Sequence, residues 1–125
     1  MEESYMSIKN KTVIITGGTR GIGKAIAEAF AKQGANIVIS ATKQETCDAL
    51  AKTFAEQYNI KAIGIQTDVS DFDQCNALID STKKEFGTID IIINNAGITR
   101  DNLLLRLKSD DWTNVIQTNL NSVFN

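Results

Sequence analysis

Histidine and proline are both absent from the 125 residues, and only two cysteines, one tryptophan and two tyrosines occur. Without histidine the chain holds no His-based metal site and no Ser-His-Asp triad. Without proline or any low-complexity stretch, nothing in it marks a linker or a domain boundary. No apolar run approaches the roughly 18 residues of a membrane span. The opening "MEESYMSIKNK" has no apolar core segment, and its early acids argue against a transit peptide. Cys47 and Cys75 fall at apolar positions of helical patterns. They read as two reduced, buried thiols rather than a disulfide or a metal pair. The formal charge is −2 with lysine and arginine scattered, so no polyanion-binding surface is expected. A cytoplasmic protein with no nucleic-acid or membrane partner is the expectation.

What is there is an alternation of strand and helix patterns. "TVIIT" (12–16) is a short β-branched run ending in glycines, hence a buried strand. Ile22, Ala25, Ile26, Ala29 and Phe30 then form a helical stripe closed by Gly34. "NIVISA" (36–41) reads as a second strand, and Cys47, Leu50, Ala51, Phe54 and Tyr58 as a second helix. "AIGIQT" (62–67) is a third strand, followed by a helix carrying Phe72, Cys75, Leu78, Ile79 and Phe86, with Gly87 just beyond. "IDIIIN" (89–94) is apolar throughout, as parallel strands covered on both faces are. After a loop, Ser109 can cap a last helix with the stripe Trp112, Val115, Ile116, Leu120, Val123 and Phe124. The pattern is an α/β layered sheet with right-handed crossovers. The last stripe is still periodic at Asn125, so the chain reads as cut.

The glycine-rich turn after the first strand permits two phosphate chemistries. Gly18-x-x-x-x-Gly23-Lys24 approximates a P-loop, which predicts magnesium-dependent ATP or GTP binding. A P-loop needs Ser or Thr after the lysine to coordinate Mg²⁺, and Ala25 stands there. Thr16-Gly17-x-x-x-Gly21-x-Gly23 is a dinucleotide turn. In it Gly17 allows the tight turn, Gly21 lets the backbone approach a pyrophosphate, and Gly23 allows close helix–strand packing. The pyrophosphate then rests at the helix N-terminus near Ile22. A purely structural turn is the remaining alternative; the dinucleotide reading leaves the fewest gaps.

The TGxxxGxG spacing resembles the short-chain dehydrogenase/reductase family. Asn94-Asn95-Ala96-Gly97 at the end of the fourth strand is similar to that family's NNAG element. Asp68-Val69 ends the third strand where relatives hold the adenine ring, and Asn119-Leu120-Asn121-Ser122 lies where they carry a structural and catalytic asparagine. The segment "NNAGITRDNLLLRLKSDDWTNVIQTNLNSVF" looks like the 3-oxoacyl-(acyl-carrier-protein) reductases. The resemblance implies a Rossmann-like doubly wound parallel sheet, truncated after its fourth strand and the helix following it. It implies a tail over 1–10 and an incomplete NADP-binding domain over 11–125, the C-terminal catalytic part being absent. The implied cofactor contacts are Gly17, Gly18, Thr19, Arg20, Gly21, Ile22, Gly23, Thr42, Asp68, Val69, Asn95, Ala96 and Gly97. No metal is implied.

An NAD site of this type ends its second strand with a carboxylate that accepts from the ribose hydroxyls. Here Ser40, Ala41, Thr42 and Lys43 bring no negative charge, and Arg20 can reach the same region with its planar fork. By the resemblance, Arg20 and Thr42 hold a 2′-phosphate, so NADP(H) is the expected cofactor. Relatives pass hydride from the nicotinamide while a tyrosine, its pKa lowered by a lysine four residues on, protonates the carbonyl oxygen, a serine orients it, and an asparagine on the long helix supports a water that feeds the proton relay. Of that group this chain carries only the asparagine, Asn119, so the 125 residues alone are expected to be inactive. Tyr5-x-x-x-Lys9 has the right spacing but lies before the first strand, and Tyr58 completes a helix stripe; neither is read as the acid. Asp90, Asp101 and Glu85 are read as plain surface or turn charges. The implied substrate is a 3-oxoacyl group on acyl-carrier protein, reduced by a homo-oligomer that is a tetramer in relatives. A sugar or steroid carbonyl reductase and a non-catalytic nucleotide-binding module remain as rivals.

Overall fold

The computed structural model describes residues 8–95 and, as backbone strands, 102–107 and 115–119. The element order is β1 (Thr12–Thr16), α1 (Gly21–Lys32), β2 (Asn36–Ala41), α2 (Gln44–Tyr58), β3 (Ala62–Gln66), α3 (Phe72–Phe86), β4 (Ile91–Asn94), β5 (Asn102–Leu107) and β6 (Val115–Asn119). The sheet runs β3-β2-β1-β4-β5-β6. The first four strands are parallel, with Thr16 opposite Ser40 on one side and Asn94 on the other. The strand order reverses between β1 and β4, which leaves a crevice at their carboxyl ends where open α/β sheets take ligands.

Alternation along the strands divides the core in two. Val13, Ile15, Ile37, Ile39, Ile91 and Ile93 face α1 and α2, against Ile26, Ala27, Cys47, Ala51 and Phe54. Ile14 and Val38 face α3, against Leu78 and Ile89. All five β1 residues are buried, which is why that strand reads as unbroken apolar sequence rather than alternation. Helix α3 is capped by Asp71, whose side chain accepts from Asp73 N and Gln74 N.

Several expectations are corrected. The buried residues of α1 are Gly23, Ile26, Ala27 and Ala31, whereas Ile22 is 44% exposed. Small residues let that helix sit close on the sheet, which rotates its face away from the bulkier stripe. Phe72 stands 77% exposed, because the first residue of α3 lies beyond the layer that the helix covers. Residues 115–119 form a strand, and β5 precedes them, in place of the loop and helix expected after β4. The free edge of β4 offers unpaired N–H and C=O groups; the run at 102–107 satisfies it as an antiparallel strand, and 115–119, with the β-branched Val115, Ile116 and Thr118, pairs with that strand in turn. The rest of that stripe lies outside the described residues.

Asp90 is not a plain surface charge either. Its carboxylate accepts from Thr12 N at 2.9 Å while its own N–H donates to Thr12 O, tying the starts of β1 and β4. Glu85 pairs with Lys61 at 3.5 Å on the exposed surface, a contact of little net stability. Asp101 lies outside the described residues. Cys47 is buried, and burial pushes its thiol pKa up. Cys75 is only half-buried, its thiol donating to Val69 O.

Candidate functional site

The glycine turn leaves β1 at the crevice. Gly17 has φ 66° and Gly21 φ 61°, conformations costly for residues with a Cβ. Gly17 N donates to Ser40 O at 2.7 Å, and Gly18 N reaches the same carbonyl at 3.4 Å, so the turn hangs from the end of β2. Gly23 serves close approach: a Cβ there would collide with the Gly17 carbonyl oxygen and lie 2.5 Å from Asn95 Nδ2. Asn95 Nδ2 donates to Gly17 O at 3.2 Å, and Thr16 Oγ1 donates to Asn94 Oδ1 at 2.8 Å. The two asparagines at the end of β4 thus staple the turn that follows β1.

Helix α1 begins with Arg20 in extended conformation, with no side-chain cap and no acid in its first turn. Its first N–H groups and positive dipole end remain available to an anion. Beside it lies a cavity of about 250 Å³ lined by Gly17, Thr19, Arg20, Ala41, Thr42, Thr67, Asp68 and Val69. The turn, the end of β2 and the end of β3 therefore meet, and six of the thirteen residues assigned from the sequence line one space. Gly23 packs beneath the turn. Gly21 and Ile22 are exposed at the helix start, while Gly18 is buried under the turn. Ala96 and Gly97 lie outside the described residues.

Asp68 accepts from Ser70 Oγ at 2.6 Å and Ser70 N at 3.0 Å. These bonds hold its carboxyl below the ordinary 3.8. A lowered folded pKa means the contact stabilises the fold above that ordinary value and stops doing so as the pH falls through the lowered one. Ser70→Ala is therefore expected to move the Asp68 carboxyl up towards 3.8 in a carbon-13 NMR titration. An unchanged titration midpoint would show that the hydroxyl bond is not made in solution, since the backbone N–H bond survives the substitution.

Tyr58 is set apart from acid catalysis by its surroundings. Its hydroxyl donates to the Glu28 carboxylate on α1, and that bond, with burial, raises its pKa. A proton donor needs the opposite shift. Tyr5 lies outside the described residues. Asn119 is the last residue of β6, paired with Asn102. It stands at the same end of the sheet as the glycine turn, but β4 and β5 intervene, so β6 and β1 are separated by roughly three strand spacings of about 4.8 Å.

Sequence reasoning missed the Asn94–Thr16 bond and a buried hydroxyl, Ser40 Oγ, that has no hydrogen-bond partner among the described residues. It also missed the contacts of Gln44 and Gln66. Gln66 Nε2 donates to Thr42 O at 2.9 Å, and Gln66 N to Gln44 Oε1 at 2.8 Å. No periodicity signals such pairs, because the partners lie over 20 positions apart. Among the described residues no helix is long and apolar enough to cross a membrane, and no group of acids and cysteines could hold a metal.

Comparison with known proteins agrees with this geometry. The family model for short chain dehydrogenase matches residues 11–125. The 3-oxoacyl-(acyl-carrier-protein) reductase of Chlamydia trachomatis is 47% identical over 93% of this chain and 47% of its own length. That of Salmonella typhimurium is 41% identical over 95% of this chain and 47% of its own. The chain therefore spans about half the length of these relatives. Among solved structures, L-sorbose reductase from Gluconobacter frateurii, in complex with NADPH and L-sorbose, superposes with a TM-score of 0.71. It is 36% identical, over 77% of this chain and 36% of that one. Hydroxysteroid dehydrogenase from Escherichia coli gives a TM-score of 0.66 at 31% identity, over 70% and 37%. A parallel β3-β2-β1-β4 sheet, a glycine turn stapled by the asparagines ending β4, and a family match over nearly the whole sequence make this chain a member of the short chain dehydrogenase family.

Proposed function

We propose that this chain is the NADP(H)-binding half of an oxidoreductase whose intact form reduces 3-oxoacyl groups on acyl-carrier protein to 3-hydroxyacyl groups. The observation that carries the cofactor assignment is the cavity in which Arg20, Thr19 and Thr42 meet the glycine turn, with no carboxylate at the end of β2. Its donors suit a phosphorylated ribose: a guanidinium, two hydroxyls and an uncapped helix N-terminus. A 2′-phosphate at Arg20 and Thr42 meets no opposing charge from β2.

Asp68, held ionised, offers an acceptor to the amino group of an adenine beside Val69. Gly17, Gly18, Gly21, Ile22 and Gly23 form the floor for the pyrophosphate, and Asn95 borders that turn from the β4 side; Ala96 and Gly97 are assigned to the cofactor on the family resemblance alone. Bound there, the nicotinamide supplies the hydride. Asn119, at the same end of the sheet, is the candidate for supporting the proton relay. The segment matching the reductases carries the substrate assignment. On this reading the intact protein works in the cytosol as a homo-oligomer, and these 125 residues bind cofactor without turning over substrate. The likeness to the sorbose and steroid enzymes favours, as a second reading, another carbonyl substrate on the same cofactor half.

The test is a fluorescence titration with NADPH and NADH. NADPH should bind at least about tenfold tighter, and Arg20→Ala should remove most of that preference, as loss of a charge-assisted contact predicts. Equal binding of both cofactors before substitution would overturn the NADP(H) assignment. Intact protein assayed on acetoacetyl-acyl-carrier protein, L-sorbose and a ketosteroid then separates the two substrate readings.

A further inference from the structure

Between the end of β2 at Ala41 and the start of α2 at Gln44 only Thr42 and Lys43 intervene, and both are exposed. Thr42 lines the same cavity as Arg20. A two-residue exposed link has little reason to hold one orientation, yet this one is braced from β3. Gln66 Nε2 donates to the Thr42 carbonyl at 2.9 Å. Gln66 is held in turn, its N–H donating to Gln44 Oε1 at 2.8 Å. Gln44 Nε2 donates to Gly64 O at 2.8 Å and to Asp48 Oδ1 at 2.7 Å. Thr67 N closes the set on Ala41 O at 2.8 Å.

The orientation matters because of what a peptide carries. The C=O and N–H of the trans Thr42–Lys43 peptide point in opposite directions. Holding the carbonyl towards Gln66 turns the Lys43 N–H away from β3. It also keeps a partially negative oxygen from swinging to where an anion would sit. A carbonyl facing a phosphate is repelled, whereas hydroxyl and N–H groups bind it. The two side chains of the brace nearest Thr42, Gln66 and Gln44, are neutral amides, and the carboxylate of Asp48 enters only behind Gln44.

We infer that Gln66 and Gln44 are positioning residues for a 2′-phosphorylated ribose, because they hold the Thr42 carbonyl against β3 and so leave Thr42 and Arg20 to present only donors to the phosphate. This rests on the NADP(H) reading of the cavity, and it adds to that reading two residues that stand outside the cavity lining. It predicts that the brace acts on one phosphate of the cofactor and not on the adenosine as a whole.

The test uses two small probes, adenosine 2′,5′-bisphosphate and adenosine 5′-monophosphate, titrated calorimetrically into the protein. Gln66→Met keeps the side-chain length and removes the donor to Thr42. It should weaken the bisphosphate about three- to tenfold, the worth of a net hydrogen bond, and the monophosphate by under about twofold. Gln44→Met, which frees Gln66, should give the same split and serves if the first variant misfolds. Gln66→Asn, with its shorter amide, should recover part of the bisphosphate affinity. Equal weakening of both probes would make the glutamines merely structural and overturn the inference. So would no weakening of either, and in both cases the NADP(H) reading would stand. If the unsubstituted protein binds both probes equally, the 2′-phosphate site fails and the inference with it. If it binds neither, the dinucleotide reading falls as well.

Discussion

Gly23→Ala is expected to weaken NADPH binding by up to about two orders of magnitude, the upper part of an overpacking cost of about 1–3 kcal/mol. The added methyl would collide with the Gly17 carbonyl oxygen and crowd Asn95 Nδ2. Neither neighbour can yield cheaply. Gly17 is backbone in a left-handed turn hung from Ser40 O, and Asn95 holds that same turn through its bond to Gly17 O. The start of α1 must therefore move off the turn, which displaces both the N–H groups and the dipole end offered to a pyrophosphate. Fluorescence titration of the variant, with circular dichroism to verify folding, reads the effect. A folded Gly23→Ala protein that binds NADPH within about threefold of the original would show that this close approach is not what shapes the site.

Phe54→Ala should cost about 3–5 kcal/mol of unfolding free energy, the usual range for emptying a buried aromatic position. Phe54 is 1% exposed on α2, packed with Ile37, Ile39 and Cys47 in the larger core layer. Its ring lies 5.9 Å from that of Tyr58, tilted by 54°. Tyr58 reaches back to Glu28 on α1, so the cavity left by the ring would loosen the junction of both helices with the sheet. Domains carry about 5–15 kcal/mol of stability in all, so the substitution removes a large share. A urea titration followed by circular dichroism measures it. A loss below about 1 kcal/mol would mean that α2 and its strands unfold separately from the rest.

Legibility in the sequence follows burial. Strands β1 and β2 match the stretches 12–16 and 36–41 at both ends. They lie in the middle of the sheet, where both faces are apolar and turn residues close each run. The face of α1 is less legible because a pattern of large side chains is not a pattern of close contact. Ala27 and Ala31 pack on the sheet and Gly23 on the glycine turn, while Ile22 faces outward. The hairpin after β4 escapes the sequence for another reason: a short apolar run is compatible with either period. The open edge of a neighbouring strand, not local preference, decides it.

The site divides in the same way. The glycine spacing, the missing carboxylate after β2 and the asparagines after β4 are local patterns, each legible within a few residues because backbone conformation and charge are properties of a few residues. Those short patterns carry the family resemblance by themselves. Only the tertiary structure brings Arg20, Thr42 and Asp68 around one cavity, since parallel strands in register align carboxyl ends far apart in sequence. Only it turns the Thr42 carbonyl towards Gln66, 24 positions away. Periodicity describes which face a residue takes on its own element. Which element lies opposite is settled by strand pairing, and the sequence alone carries no local mark of that partner.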